Sequence, residues 1–180
     1  MVAGYSGPVV GPVSFELHAG EVLGLGGANG AGKSTLLKAL TGTAKVFSGA
    51  IRRQADLHIT HHRQRPERPP ELPLLGGELL VLLGAEKQPL ESIKPLIDRP
   101  VAAMSGGQYQ FLQAWACINS GAEVVLLDEP TNNLDGDAID ALGETLRNLG
   151  SGRAAILVSH ERAFLEANCD RQLDVSAWTV

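Results

Sequence analysis

Cysteine is scarce in this chain. Of 180 residues only Cys117 and Cys169 carry a thiol, and they stand far apart with no ligand partner beside either. That excludes a disulfide scaffold and a thiolate metal cluster, and fits reduced thiols in a reducing compartment. Long hydrophobic runs are missing too. The longest, residues 79–85, falls far short of the ~20 residues that a spanning helix needs. Residues 1–10 have neither the basic start nor the apolar middle of a secretory leader. Any membrane contact would therefore need another subunit to supply the spanning helices. Nor is there an excess of positive charge. With 15 Lys and Arg against 20 Asp and Glu, the net charge is −5, which excludes a phosphate-binding surface over the whole molecule and makes nucleic acid an unexpected partner.

What is present is an ordinary globular composition, 44% hydrophobic, in a length suited to one domain with a substantial core. There is no internal repeat. Residues 13–17 and 21–25 read as two strands joined by a turn at Ala19-Gly20. A glycine-rich stretch follows, then a helix over 33–40 stopped by Gly42. Residues 51–60 form a weaker strand candidate, and 63–73, rich in proline and charge, an exposed connection. Short helices are expected over 78–86 and 90–97, and a longer one from Ser105 to about Asn119. Residues 124–127 and 154–158 are continuous apolar runs, the pattern of strands buried on both faces of a parallel sheet. Helices at 137–149 and 163–167 and a short strand at 172–175 complete the chain. Strands alternating with helices point to an α/β sheet with crossover connections.

Gly27-x-x-x-x-Gly32-Lys33-Ser34 is a complete Walker A motif between a strand and a helix. Backbone amides of such a turn and of the helix start point at phosphate oxygens, and glycine permits the close approach. Lys33 supplies a cation for the β- and γ-phosphates, and Ser34 a hydroxyl for Mg²⁺. Gly27, Asn29, Gly30, Ala31, Gly32, Lys33, Ser34 and Thr35 are thus candidate nucleotide-binding residues. The apolar run at 124–127 ends in Asp128-Glu129. Ligands sit beyond the carboxyl ends of parallel strands, so Asp128 would emerge beside the phosphates to hold the metal, with Glu129 placed to polarise an attacking water.

Met104-Ser105-Gly106-Gly107-Gln108, a short way before that acidic pair, resembles the signature of the ATP-binding cassette (ABC) family. Thr131-Asn132-Asn133-Leu134-Asp135 resembles its D-loop, and Val158-Ser159-His160 its switch-histidine strand. The resemblance covers essentially the whole chain. It implies a P-loop NTPase fold of the RecA-like kind: a mostly parallel sheet core, an antiparallel N-terminal β part and a small helical lobe inserted at about 65–120. It implies ATP and Mg²⁺ as cofactors, and His160 as a γ-phosphate contact acting with Glu129 and Lys33. Tyr5 would stack on adenine. Ser105, Gly106, Gly107, Gln108 and Asp135 would reach the nucleotide held by a second cassette in a head-to-tail dimer. A glutamine entering the lobe would contact Mg²⁺, and Gln64, followed by Arg65-Pro66, fits better than Gln54. His58, His61 and His62 just before it read as a solvated strand end rather than a metal site.

The sequence departs from the family in carrying no arginine over 110–117, in a compact stretch between Gln64 and Ser105, and in a short or missing first strand before Tyr5. Three functions follow from the resemblance. The first is the ATP-hydrolysing subunit of a transporter, at the inner face of the cell membrane beneath a separate permease, with a solute-binding protein as a further partner. The second is a soluble ABC-F-like ATPase acting on ribosomes, which Asn132-Asn133-Leu134-Asp135 and residues 159–165 resemble. The third is a degenerate cassette, disfavoured because every catalytic position is filled.

Overall fold

The larger of the two sheets is built around three central strands that are apolar on both faces, and the smaller from short, partly exposed strands. The computed structural model describes residues 1–64, 73–85 and 87–178. Along the chain come Val2–Gly4 (β1), Pro8–Val10 (β2), Val22–Gly26 (β3), Lys33–Leu40 (α1), Lys45–Ser48 (β4), Ile59–His62 (β5), Gly76–Leu82 (α2) and Lys94–Ile97 (α3). Gly106–Ile118 (α4), Val124–Asp128 (β6), Gly136–Arg147 (α5), Ala154–Val158 (β7), Arg162–Asn168 (α6) and Arg171–Asp174 (β8) follow. The larger sheet has the order β5-β6-β7-β3-β8, and every neighbouring pair in it is parallel. The smaller, β2-β1-β4, is antiparallel. The expected class, a mostly parallel core with an antiparallel N-terminal part, is the observed one.

Alternation along β6 shows how the layers are built. Val125 and Leu127 enter the core beneath α4, α5 and α6, while Leu126 enters the opposite core with Leu36 and Leu37 of α1 and Ala3 of β1. The central strands β3, β6 and β7 therefore bury both faces, while the edge strand β8 stays largely exposed. Trp115, 1% exposed, anchors α4 against the sheet.

Several elements differ from expectation. Residues 13–17 alternate buried and exposed but join no ladder beyond Val13, whose N–H donates to the Met1 carbonyl at 2.8 Å. Residues 51–60 contribute only their last two positions to a strand, and Lys45–Ser48, unpredicted, is one. The helix expected at 78–86 starts at Gly76 because Glu78 is its third residue, accepting from the Leu75 N–H at 2.8 Å. The helix expected at 90–97 shrinks to Lys94–Ile97, since Pro95, lacking an N–H, suits a first turn only. Residues 65–72 of the expected exposed connection, and Glu86, lie outside the described residues.

The histidines need correcting. His62 is 4% exposed, not solvated, because β5 pairs with β6 and is covered by α4, whose Cys117 Sγ lies 3.4 Å from Thr60 Oγ1. Neither ring nitrogen of His62 has a partner among the described residues, and His61 Nε2 has none either. Burial pushes both imidazoles down to about 4, with Arg63 and Lys38 adding to the effect on His61, and His61 to that on His62. An unfolded imidazole titrates near 6.5, so between these values the unfolded chain binds more protons than the folded one. Stability should be full above about pH 6.5 and fall as the pH drops toward about 4. Urea denaturation across that range checks this. His62→Phe should flatten the decline, and an unchanged slope would contradict the buried neutral imidazole.

Candidate active site

The parallel register brings several strand ends to one edge. Leu25 of β3 and Asp128 of β6 both pair with Val158 of β7, and Gly26 pairs with Asp174 of β8. The segments leaving those strands, which carry the glycine-rich loop, Glu129, His160 and Ser176, therefore emerge side by side.

Between β3 and α1 the loop relies on glycine. Gly27 and Gly32 have φ of 128° and 92°, and a Cβ on Gly32 would stand 2.7 Å from Val10 Cβ. No side chain caps α1, so its first-turn amides are left to an anion. Ala28, Asn29 and Gly30 are exposed, while Ala31, Lys33 and Thr35 are buried. The Lys33 ammonium folds back on the loop, donating to the carbonyls of Gly27 at 2.7 Å and Ala28 at 3.0 Å.

Ser34 Oγ donates to Asp128 Oδ1 at 3.0 Å. Burial holds the Asp128 carboxyl above the usual carboxylate range, the Ser34 hydrogen bond opposing it and Glu129 adding to it. Glu129 is 5% exposed and has a left-handed backbone, φ 51°, uncommon for a residue with a Cβ. Its Oε2 lies 2.8 Å from His160 Nδ1 and accepts from the His160 N–H at 3.3 Å. The His160 side chain is half exposed.

Other candidates lie apart from this cluster. Ser105 caps α4 reciprocally with Gln108, leaving Ser105 and Gly106 exposed. Gly107 abuts the 131–135 loop, where a Cβ would meet the Asn133 carbonyl at 2.3 Å. Asp135 caps α5 by accepting from the Ala138 N–H at 2.9 Å. The Tyr5 ring, 49% exposed, has Lys38 Nζ 5.7 Å from its centroid. Gln64 is exposed two residues beyond the carboxyl end of β5, whereas Gln54 precedes that strand's start, at the other edge of the sheet.

Sequence reasoning passed over some contributors. The Gln110 amide, 5% exposed, donates to the carbonyls of Glu129 at 3.0 Å and Pro130 at 3.4 Å. Gln110 shares α4 with Gln108 and Gln113, so nothing in the sequence singles it out. Ser176 Oγ accepts from the Ala28 N–H at 2.9 Å, and Asp174 Oδ1 accepts from the Ser176 N–H at 2.8 Å, so the end of β8 braces the loop. A polar pair just past a parallel strand was the hint there.

A family profile described as ABC transporter matches residues 10–132. The zinc import ATP-binding protein ZnuC of Ruegeria sp. (strain TM1040) is 32% identical over 173 residues, covering 91% of this chain and 70% of that protein. A structure described as the ATP binding subunit of an ABC transporter superposes with TM-score 0.79 at 26% identity, over 97% of this chain and 84% of that one. The archaeal ribosome recycling factor aABCE1, in its complex with the ribosomal stalk protein aP1, superposes with TM-score 0.78 at 27% identity. The match takes in 92% of this chain but only 35% of that one, so this chain spans about a third of it.

Gln110 acts on Glu129 through the backbone. Gln110→Leu should lower kcat about tenfold, the worth of one hydrogen bond, while ATP affinity and melting temperature stay near wild type. Steady-state phosphate release with calorimetric ATP binding separates these, and equal loss of binding and turnover would reduce Gln110 to a packing role.

Proposed function

The chain belongs to the ABC transporter family of ATP-binding proteins, a family of ATPases, and on that premise we propose that it hydrolyses Mg-ATP to drive a separate membrane permease, paired with a second cassette. The observation that carries the proposal is the meeting of Lys33, Ser34, Asp128, Glu129 and His160 at one sheet edge.

The loop amides and the start of α1 receive the phosphates. Lys33 exchanges its two carbonyl partners for phosphate oxygens as ATP enters. The Ser34 hydroxyl and the buried Asp128 carboxylate are hard oxygen donors that suit Mg²⁺, and Gln64 at the same edge is a third. Held by these donors, Mg²⁺ would supply charge neutralisation for the phosphates. The half-exposed Tyr5 ring is the surface for adenine. Glu129 accepts a hydrogen bond from the attacking water and directs its oxygen at the γ-phosphorus; the bond to the β–γ bridging oxygen breaks, giving ADP and phosphate. His160, held by Glu129, faces solvent where the γ-phosphate arrives. Ser105 and Gly106, exposed at the start of α4, and Asp135 complete the site of a partner cassette rather than their own.

A permease contact fits the inserted helices. On the last turn of α2 Val81 and Leu82 are 77% and 67% exposed, an apolar face suited to a partner helix. Among the described residues no helix is long and apolar enough to cross a membrane, so the spanning part would come from the permease, placing this chain at the inner face of the membrane. The second reading, action on ribosomes, draws on the similarity to the recycling factor.

Glu129→Gln should keep ATP affinity and lose turnover by about 10²-fold or more. Turnover near wild type would overturn the role given to Glu129. The native protein should co-purify with a membrane protein after mild detergent extraction. Sedimentation with ribosomes, strengthened by Glu129→Gln, would replace the transporter reading with the ribosomal one.

A further inference from the structure

The glycine-rich loop is held from outside at both ends. Gly32 lies against Val10 of β2, where a Cβ would stand 2.7 Å from Val10 Cβ. Gly27, with φ of 128°, lies against the segment that leaves β8. A Cβ there would meet Ser176 Oγ at 2.8 Å and Asp174 Oδ1 at 2.9 Å. Neither position has room for a side chain, so both contacts are made to the loop backbone itself.

At the Gly27 end a single peptide unit is held from two sides. Its carbonyl, that of Gly27, accepts from the Lys33 ammonium at 2.7 Å, and its N–H, that of Ala28, donates to Ser176 Oγ at 2.9 Å. In a trans peptide these groups point in opposite directions, so Lys33 and Ser176 fix the same plane from opposite faces of the loop. The two supports differ in kind. Lys33 changes partners when phosphate arrives, whereas Ser176 lies outside the loop and has supports of its own. Its N–H donates to Asp174 Oδ1 at 2.8 Å. Hydrogen bonds from the Ser176 backbone and hydroxyl hold the Asp174 carboxyl below the usual carboxylate range, with Lys33 and Arg162 adding to the effect. With its proton committed to that carboxylate, the hydroxyl turns a lone pair toward the Ala28 N–H. Beneath it Val175 is fully buried, and the Trp178 carbonyl accepts from the Gly11 N–H at 2.6 Å. The base carrying Ser176 is thus fixed to the core, although Ser176 itself is exposed.

We propose that Ser176 is a positioning residue for nucleotide binding, keeping the peptide between Gly27 and Ala28 in one orientation after Lys33 has left it for the phosphates. The inference rests on the reading that this loop receives the phosphates of ATP. A peptide that follows glycine rotates easily, and once Lys33 lets go, the Ser176 hydroxyl is the remaining support of this one. Removing the hydroxyl leaves the peptide to be ordered by the nucleotide, and that cost falls on binding. It does not fall on the chemical step, because Ser176 touches no reacting atom. Such loops cradle the phosphates that ATP and ADP share, so the two nucleotides lose affinity together.

The test is Ser176→Ala in the intact protein, with Ser176→Thr as the variant that keeps a hydroxyl. In Ser176→Ala, calorimetry should show ATP and ADP each bound about fivefold more weakly. Steady-state phosphate release should show KM raised by a similar factor, with kcat and melting temperature near wild type. Without nucleotide, hydrogen exchange at the Ala28 amide should quicken about tenfold. Ser176→Thr should restore affinity and exchange. Unchanged affinities in Ser176→Ala, or a loss that Ser176→Thr fails to restore, would overturn the proposal. A loss confined to ATP would also overturn it, by moving Ser176 to the γ-phosphate, as would a fall in kcat equal to the fall in affinity. These outcomes are distinct from failure of the underlying reading, which would show as a wild type that binds neither nucleotide and would remove this inference with it.

Discussion

The placement of β7 between β3 and β6 is the constraint on which the rest of the molecule depends. Val158 pairs at once with Leu25 and Asp128, and its carbonyl accepts from the Glu129 N–H at 2.9 Å. Three strand ends are thereby brought level. The loop after β3, the acid after β6 and the histidine after β7 then have no choice but to meet, because each leaves a strand that stops at the same line. The ligands of the proposed site are far apart in sequence and adjacent for this reason alone.

At that line Glu129 holds an unfavourable left-handed backbone, which persists because it is fixed from several sides: Val158 from the sheet, His160 on its carboxylate and Gln110 on its carbonyl. Gln110 and Ser105 sit about one turn apart at the start of α4. Under the proposed function a single rigid helix would thus present Ser105 to the partner's nucleotide while orienting the carboxylate that directs water in its own. That is a short physical route from cassette pairing to hydrolysis, and it requires no movement of the sheet.

The glycine-rich loop, β6, β7 and α4 are legible in the sequence because each has a local cause: glycines that allow positive φ, apolar runs that must be covered on both faces, and a serine that caps a helix. Residues 13–17 have a clean alternation and still form no ladder past Val13, since periodicity specifies which face is buried but not whether a neighbour is there to pair with. Lys45–Ser48 is half exposed on a sheet edge and carries little pattern to read. His62 looks solvated beside His61 and Arg63, and is buried only because β5 slots under α4. Gln110 and Ser176 act through contacts with residues distant in sequence, Glu129 and Ala28, so the local pattern shows at most a polar residue and never its partner.

The central claim is that each active site is divided between two cassettes, the phosphate loop and acids from one, Ser105 from the other. A Ser105→Arg chain and a Lys33→Ala chain should each be inactive alone. In an isolated heterodimer of the two, one composite site keeps both its halves, and ATP turnover should return to about half the wild-type dimer's rate. A confirmed heterodimer that remains inactive, or a strictly monomeric wild type with full activity, would contradict the account.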